Sequence, residues 1–345
     1  MILTQFPRFN LAHLPTPLEK LTNLSKFLNI NLYIKRDDLT GLAGGGNKVR
    51  KLEFLIGDAL SKGANVILTQ GAVQSNHVRQ TIAAASKSGL ETHVILERRV
   101  PDTDDWFELT GNVFLDHLLG VRSIQFVESG ANIQLELEKT KAHLEAEGKR
   151  PYIIPGGGSN SIGALGYVNA ALELTCQFNT LGIHPDYVIT ASGSSGTHVG
   201  LATGFHGLRS PVGLIGISVR QPKDVQENKV YQESLLVGRL LNIPDISKDR
   251  ITVNSDYIGE GYGISTNQSK AAIVLAARKE GLFLDPTYTG KAFSGLIDLV
   301  QTGMIPAGST VVFVHTGGDF GLFAYQTELL SFIQSDVSTK VKVTG

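Results

Sequence analysis

A single lysine, Lys48, directly follows Asn47 and three consecutive glycines, Gly44 to Gly46, in the stretch GLAGGGNKVR at 41–50. Glycine loses more conformational freedom on folding than any other residue, so three in a row mark a sharp turn or a close backbone approach. The stretch reads as built around a guest. A second segment, SGSSGT at 192–197, stands between a strand-like run and a helix-like one. Backbone N–H groups at a helix N-terminus, with the hydroxyls of Ser194, Ser195 and Thr197, would form an anion cradle suited to phosphate. On its own, however, the segment reads first as an ordinary Ser- and Gly-capped turn.

The glycine spacing at 192–197 is neither the G-x-G-x-x-G of a dinucleotide site nor the G-x-S-x-G of a hydrolase nucleophile. Lys48 is not a P-loop lysine, because Asn47 precedes it and Val49 follows it. The nine histidines include no H-E-x-x-H pair, so no metal site is expected. What remains is a lysine on a glycine-rich turn and a distant phosphate cradle. A lysine that forms a Schiff base with a phosphorylated aldehyde cofactor needs both.

These segments need a scaffold that brings them together. From residue 31 onward, short apolar runs alternate with longer stretches of helical period, the pattern of a mostly parallel α/β sheet with crossover helices. Expected strands are 31–35, 65–69, 92–97, 151–155, 186–191, 212–219 and 310–316. Helices are expected near 76–88, 132–147, 160–180, 197–207, 267–280 and 290–302, and another with Leu52, Leu55, Ile56, Ala59 and Leu60 on one face. Four glycine-flanked loops, GGGNK (44–48), GAVQSNH (71–77), GSSGTHVG (193–200) and TGGDFG (316–321), fall where strands give way to helices, the place where open α/β sheets bind ligands. One shared pocket is expected. The clusters at 41–46 and 156–158 suggest two crossings between domains, which gives a large domain of 1–49 and 158–345 and a small inserted one of 50–157.

At 345 residues, with 42% apolar and 18% charged residues, the chain has an ordinary globular composition. A net charge of −1 leaves no basic excess for nucleic acid or an anionic membrane. Cys176, the sole cysteine, excludes an intrachain disulfide and is read as core packing. With no apolar run of about 18 residues and no leader pattern, a cytoplasmic protein is expected. The C-terminal SDVSTKVKVTG reads as a polar tail.

The segments IKRDDLTG (34–41), GGNKVRKLEF (45–54), GAVQSNHVRQT (71–81), IPGGGSNSIGALGYV (154–168), SGSSGTHVGL (192–201), GEGYGI (259–264), DPTYTGK (285–291) and HTGG (315–318) together resemble the pyridoxal-phosphate family of D-cysteine desulfhydrase and aminocyclopropane-carboxylate deaminase. The likeness runs in order from about residue 6 to residue 325. It implies a tryptophan-synthase-β-like fold of type II, with two open, twisted, mostly parallel sheets flanked by helices. It also implies a homodimer with pyridoxal 5'-phosphate between the large and small domains.

By the same resemblance, Lys48 would bear the cofactor and move the substrate Cα proton, with Asn47 beside it. Asn76 would hydrogen-bond the cofactor's phenolic oxygen, and Ser75, Asn76, His77 and Gly158 would bind the substrate. Ser194, Ser195, Gly196 and Thr197 would cradle the phosphate. Tyr288 would stack on the ring, with Thr289 and Thr316 close to it, and Tyr262 would lie over the substrate as an acid or base.

Ring-opening members resemble DPxYEGK and carry an apolar residue where Thr316 stands here. A threonine hydroxyl at 289 cannot keep the pyridine nitrogen protonated as a carboxylate would, and the weaker electron sink suits β-elimination of a thiolate. The expected substrate is a small amino acid: D-cysteine first, L-cysteate with loss of sulfite second. In the second case Arg220 could meet the sulfonate, although a solvated loop arginine is the simpler reading. Ring opening, a non-catalytic cofactor carrier and a nucleotide-binding α/β protein are more remote.

Overall fold

The computed structural model describes residues 1–341. Among these residues are ten strands: β1 Leu18–Lys20, β2 Asn31–Arg36, β3 Val66–Ala72, β4 Glu91–Arg98, β5 Ser123–Glu128, β6 Pro151–Ile154, β7 Tyr187–Ser192, β8 Gly213–Ser218, β9 Thr252–Asn254 and β10 Thr310–His315. The α-helices are α1 Thr22–Leu28, α2 Lys48–Ser61, α3 Asn76–Lys87, α4 Gly111–Leu118, α5 Ile133–Ala146, α6 Ser161–Leu181, α7 Gly196–Gly207, α8 Lys223–Leu240, α9 Asn267–Glu280, α10 Thr289–Gln301 and α11 Gln326–Val341.

The strands form two sheets. One runs β1-β2-β10-β7-β8-β9 and the other β5-β4-β3-β6. Every pairing is parallel except β1 with β2. Buried on both faces, the central strands read as continuous apolar runs: Val311, Val312 and Phe313 of β10 are fully buried, as are Ile67 and Leu68 of β3. The fold is thus the two-sheet α/β architecture expected.

Helix ends follow local capping chemistry. Asn160 accepts from the Gly163 N–H at 2.8 Å to start α6, and Thr266 and Ser269 cap α9 reciprocally. Helix α2 is fixed by charge as well as by packing. Arg50, buried, donates to Asp37 of the turn after β2 and to Glu173 of α6, both at 2.8 Å, and Lys35 reaches Glu173 at 2.5 Å. Two residues beyond Lys48, the helix is therefore locked to the larger sheet.

Several expectations need correction. Leu60 is 37% exposed, because the inward face of α2 is set by Leu52, Leu55, Ile56 and Ala59. Cys176 is exposed: Ala170, Leu174 and Phe178 form the inward row of α6, and position 176 lies on the opposite side. The helices α1, α4, α8 and α11 and the strands β1, β5 and β9 fall outside the expected set. Helix α8 buries Gln226 and Ser234 beside Val230 and Val237, so it shows no clean apolar stripe. The expected polar tail is helical as far as Val341, and residues 342–345 lie outside the described residues.

Candidate active site

The glycine triplet closes on the protein itself. A Cβ on Gly45, whose φ is +80°, would fall 2.0 Å from the Asp38 carbonyl oxygen, and one on Gly44 would fall 2.0 Å from the Phe320 ring. The guest expected there is the chain's own backbone and an aromatic ring. Only Asn47 and Lys48 reach the pocket.

Lys48 opens α2, and Asn47 holds that end in place. The Asn47 N–H donates to the Thr316 carbonyl at 3.0 Å, and its Nδ2 donates to Thr197 Oγ1 at 2.9 Å. Burial lowers the Lys48 pKa to about 8, with the neighbouring Lys51 amine and the Asp285 carboxylate opposing part of the shift. Sequence reasoning missed both neighbours. Lys51 is fully buried and donates to the Gly157 carbonyl at 3.1 Å.

One pocket gathers Asn47, Lys48, Asn76 and His77 on one side and Ser194, Ser195, Thr197, Tyr288 and Thr316 on the other. It adjoins a cleft of about 370 Å³ that Lys48, His77 and Tyr288 also line, with Ser75, Tyr262 and Ser159. The four glycine-flanked loops thus converge on one place.

At the cradle, β7 ends at Ser192 and α7 starts at Gly196, with Ser195 held at φ +85°, a conformation rare for a residue with a side chain. The hydroxyls are less uniform than expected. Ser195 Oγ contacts the Glu233 carboxylate and the Ser194 carbonyl, and the Gly196 N–H donates to Ser159 Oγ at 3.1 Å, so Gly196 does not line the pocket. Ser159, which also donates to Ser194 Oγ at 2.8 Å, is a wall residue that the sequence did not reveal. A Cβ on Gly193 would come within 3.4 Å of the Tyr288 ring, so the missing side chain keeps space between the cradle and that ring.

Ser75 caps α3 by accepting the Val78 N–H at 3.2 Å. The Asn76 and His77 N–H groups, in the first turn, have no carbonyl one turn earlier in the helix to satisfy them. Asn76 Oδ1 already accepts from Arg79 Nη1 at 3.2 Å and Asn112 Nδ2 at 3.0 Å, which leaves the amide N–H2 for the pocket. His77 Nε2 lies 2.9 Å from Thr69 Oγ1, whose own proton goes to the Ile154 carbonyl, so Nε2 carries the hydrogen. Burial, reinforced by Lys48 and Lys51, keeps this imidazole neutral.

Tyr288 and Tyr262 meet edge to face, with centroids 5.8 Å apart and their hydroxyls hydrogen-bonded. Burial raises the pKa of both phenols, so each is a proton donor at neutral pH. The Arg99 guanidinium lies 5.6 Å from the Tyr262 ring centroid.

Two expected residues stand behind the walls. Thr289 is fully buried outside the pocket lining, and its hydroxyl donates to Asp285 Oδ1 at 2.7 Å. Gly158, at φ +61°, packs toward Leu55 and Lys51, while Gly156 and Gly157 line the cleft instead. Arg220 is exposed yet lines the cleft, together with Lys229 and Arg99. Among the described residues no group of acidic, histidine or cysteine side chains could hold a metal, and no helix is long and apolar enough to cross a membrane.

A half-buried lysine whose amine has a lowered pKa, a helix-start cradle and an aromatic wall around one pocket are the features of an enzyme that holds a phosphorylated aldehyde. The profile of the family described as "Pyridoxal-phosphate dependent enzyme" matches residues 9–317, and the chain belongs to that family. Within it, the chain is 43% identical over 327 residues to the D-cysteine desulfhydrase of Serratia proteamaculans, covering 95% of this chain and 98% of that one. It is 44% identical, at the same coverage, to the D-cysteine desulfhydrase of Klebsiella pneumoniae. A crystal structure described as an ACC deaminase homologue superposes with a TM-score of 0.86 at 39% identity, over 96% of this chain and 97% of the other. A threonine deaminase, at 19% identity and a TM-score of 0.59 over 88% and 92% of the two chains, shares the fold.

Proposed function

We propose that the protein is a pyridoxal-phosphate-dependent carbon–sulfur lyase that converts D-cysteine and water to pyruvate, ammonia and hydrogen sulfide. The observation that carries the reading is the Lys48 amine, which lies on both the cradle pocket and the adjoining cleft. Near-full-length similarity to D-cysteine desulfhydrases supports the choice of substrate.

When bound, the cofactor supplies covalent attachment for the substrate amine and an electron sink at Cα. The Ser194–Thr197 turn would hold its phosphate, the Asn76 N–H2 would meet its ring oxygen, and Tyr288 would flank the ring. Ser75 and the first-turn N–H groups of Asn76 and His77 would bind the substrate carboxylate. Lys48, with its pKa near 8, can be neutral often enough to take the Cα proton. Tyr262, held protonated, would give its proton to the departing sulfur.

A second substrate has one specific observation in its favour. Arg99, Arg220 and Lys229 line the cleft and would suit the sulfonate of L-cysteate, with sulfite as the leaving group. The same reading includes a cytoplasmic homodimer, on the family resemblance and the lone cysteine. It also includes a division into a large domain of 1–49 and 158–345 and an inserted domain of 50–157, which the two separate sheets support.

The test is pyruvate release by the cofactor-loaded protein from D-cysteine and L-cysteate at equal concentration, with sulfide and sulfite assayed alongside. Faster release from D-cysteine with matching sulfide is expected. Preference for L-cysteate would move the assignment to the sulfonate, and no release from either would leave a cofactor carrier.

A further inference from the structure

Arg79 sits in α3 with 1% of its surface exposed and does not line the pocket. Its Nη1 donates to Asn76 Oδ1 at 3.2 Å and to Asn112 Oδ1 at 2.5 Å, and its Nη2 donates to the Gly45 carbonyl at 2.9 Å. The guanidinium carbon lies 4.8 Å from the centroid of the Phe320 ring, the ring that excludes a side chain at Gly44. Asn112 completes the frame: its Nδ2 also donates to Asn76 Oδ1, and its N–H donates to Gln74 Oε1 at 2.9 Å.

The choice of partners is informative. Arg50, the other fully buried arginine, spends its charge on two carboxylates at 2.8 Å. Arg79 donates to three neutral oxygens instead, while its Nε and both oxygens of the nearby Asp116 have no hydrogen-bond partner. Burying a guanidinium without direct ion pairing is costly, and stability alone would favour an apolar side chain at such a position. What the three bonds achieve is orientation. A carboxamide can flip between two nearly isosteric states, and two N–H donors on Oδ1 permit only one of them.

We propose that Arg79 is a positioning residue: it fixes the Asn76 carboxamide with its N–H2 toward the pocket and ties it to the glycine loop that presents Lys48. The inference rests on the reading that the pocket holds the cofactor and that Asn76 meets its ring oxygen. Arginine is required because its planar fork spans three acceptors, and the point charge of a lysine cannot.

The test uses the cofactor-loaded protein and follows the pH midpoint of the bound cofactor's absorbance together with kcat and KM. Asn76→Ala is expected to shift the midpoint. Arg79→Met should reproduce most of that shift with the same sign, and the double variant should add little to Asn76→Ala, as for groups that act as a unit. Arg79→Lys, which keeps the charge near Asp116, should not restore the midpoint, and kcat should fall about tenfold in both Arg79 variants with KM little changed. A wild-type midpoint in Arg79→Met, or shifts that add in full, would overturn the proposal. If Arg79→Met fails to fold, Asn112→Ala removes the second donor and should shift the midpoint in the same direction; a wild-type value there overturns it too. An unchanged midpoint in Asn76→Ala would instead overturn the underlying reading of the pocket.

Discussion

Asn47 Nδ2 donates to Thr197 Oγ1 at 2.9 Å, so the residue before Lys48 is bonded to the first turn of the cradle helix. The amine and the proposed phosphate site are therefore held at a fixed separation by the protein. Asn47→Ala removes this strut and leaves the Thr197 hydroxyl without its donor. Cofactor affinity, measured by equilibrium dialysis, should fall about tenfold, the order of one hydrogen bond in a buried site.

Lys48→Ala should abolish the covalent absorbance band and lower activity by about 10²–10⁴-fold or more, with far-ultraviolet circular dichroism unchanged. Retention of the band would remove Lys48 from the reaction.

The Lys48 amine, shifted from 10.5 to about 8, also sets a pH dependence. Covalent loading of the cofactor-free protein needs the neutral amine, so its rate should climb through about pH 8 and then level off. A rate still climbing toward pH 10 would contradict the shift. The linkage has a definite sign. Between about 8 and 10.5 the unfolded chain binds more protons at this site than the folded one, so this site makes the cofactor-free protein more stable as pH rises through that window. Below about 8 the cost of burying the charge is felt in full.

Tyr262→Phe removes the proposed proton donor and keeps the edge-to-face ring contact with Tyr288. A drop in kcat of about 10²-fold is expected, with cofactor absorbance retained. An unchanged kcat for D-cysteine would assign protonation of the sulfur elsewhere.

Gly200 lies where α7 crosses α6, and a Cβ there would sit 2.4 Å from both the Ala164 carbonyl oxygen and Tyr167 Cβ. Gly200→Ala should destabilise the fold by about 1–3 kcal/mol, read from denaturant midpoints at constant slope. A neutral result would mean that the two helices can separate at low cost.

The alternation of apolar runs and helical periods revealed most of the two-sheet framework, since buried parallel strands and amphipathic helices write their burial into residue type. Helix α8 escaped notice because its inward face includes Gln226 and Ser234. In the site, glycine-rich loops at strand ends pointed to Lys48 and the 194–197 turn, while Asn76 and Thr289 came from the family resemblance. Thr289 shows the limit of that reasoning: its hydroxyl turns inward to Asp285, and neighbours in sequence do not reveal which way a side chain faces. Ser159 and Lys51 were missed for a related reason, since each contacts a residue far away in the chain, and Arg79 because its fork also reaches Gly45 and Asn112, each more than thirty residues away.

Strand β2 lies between β1 and β10, with Asn31 paired to Thr310. During synthesis, the smaller sheet has all four of its strands once residue 154 has emerged from the ribosome. The larger sheet must keep β2, paired early only with β1, waiting for its second partner β10 until nearly the whole chain is made. Long-range parallel pairing of this kind forms slowly, and it leaves an apolar strand edge uncovered in the meantime. Lys48 and Asn76 are thus among the first parts of the pocket to be translated, and its lining is complete only after Tyr288 and Thr316 arrive.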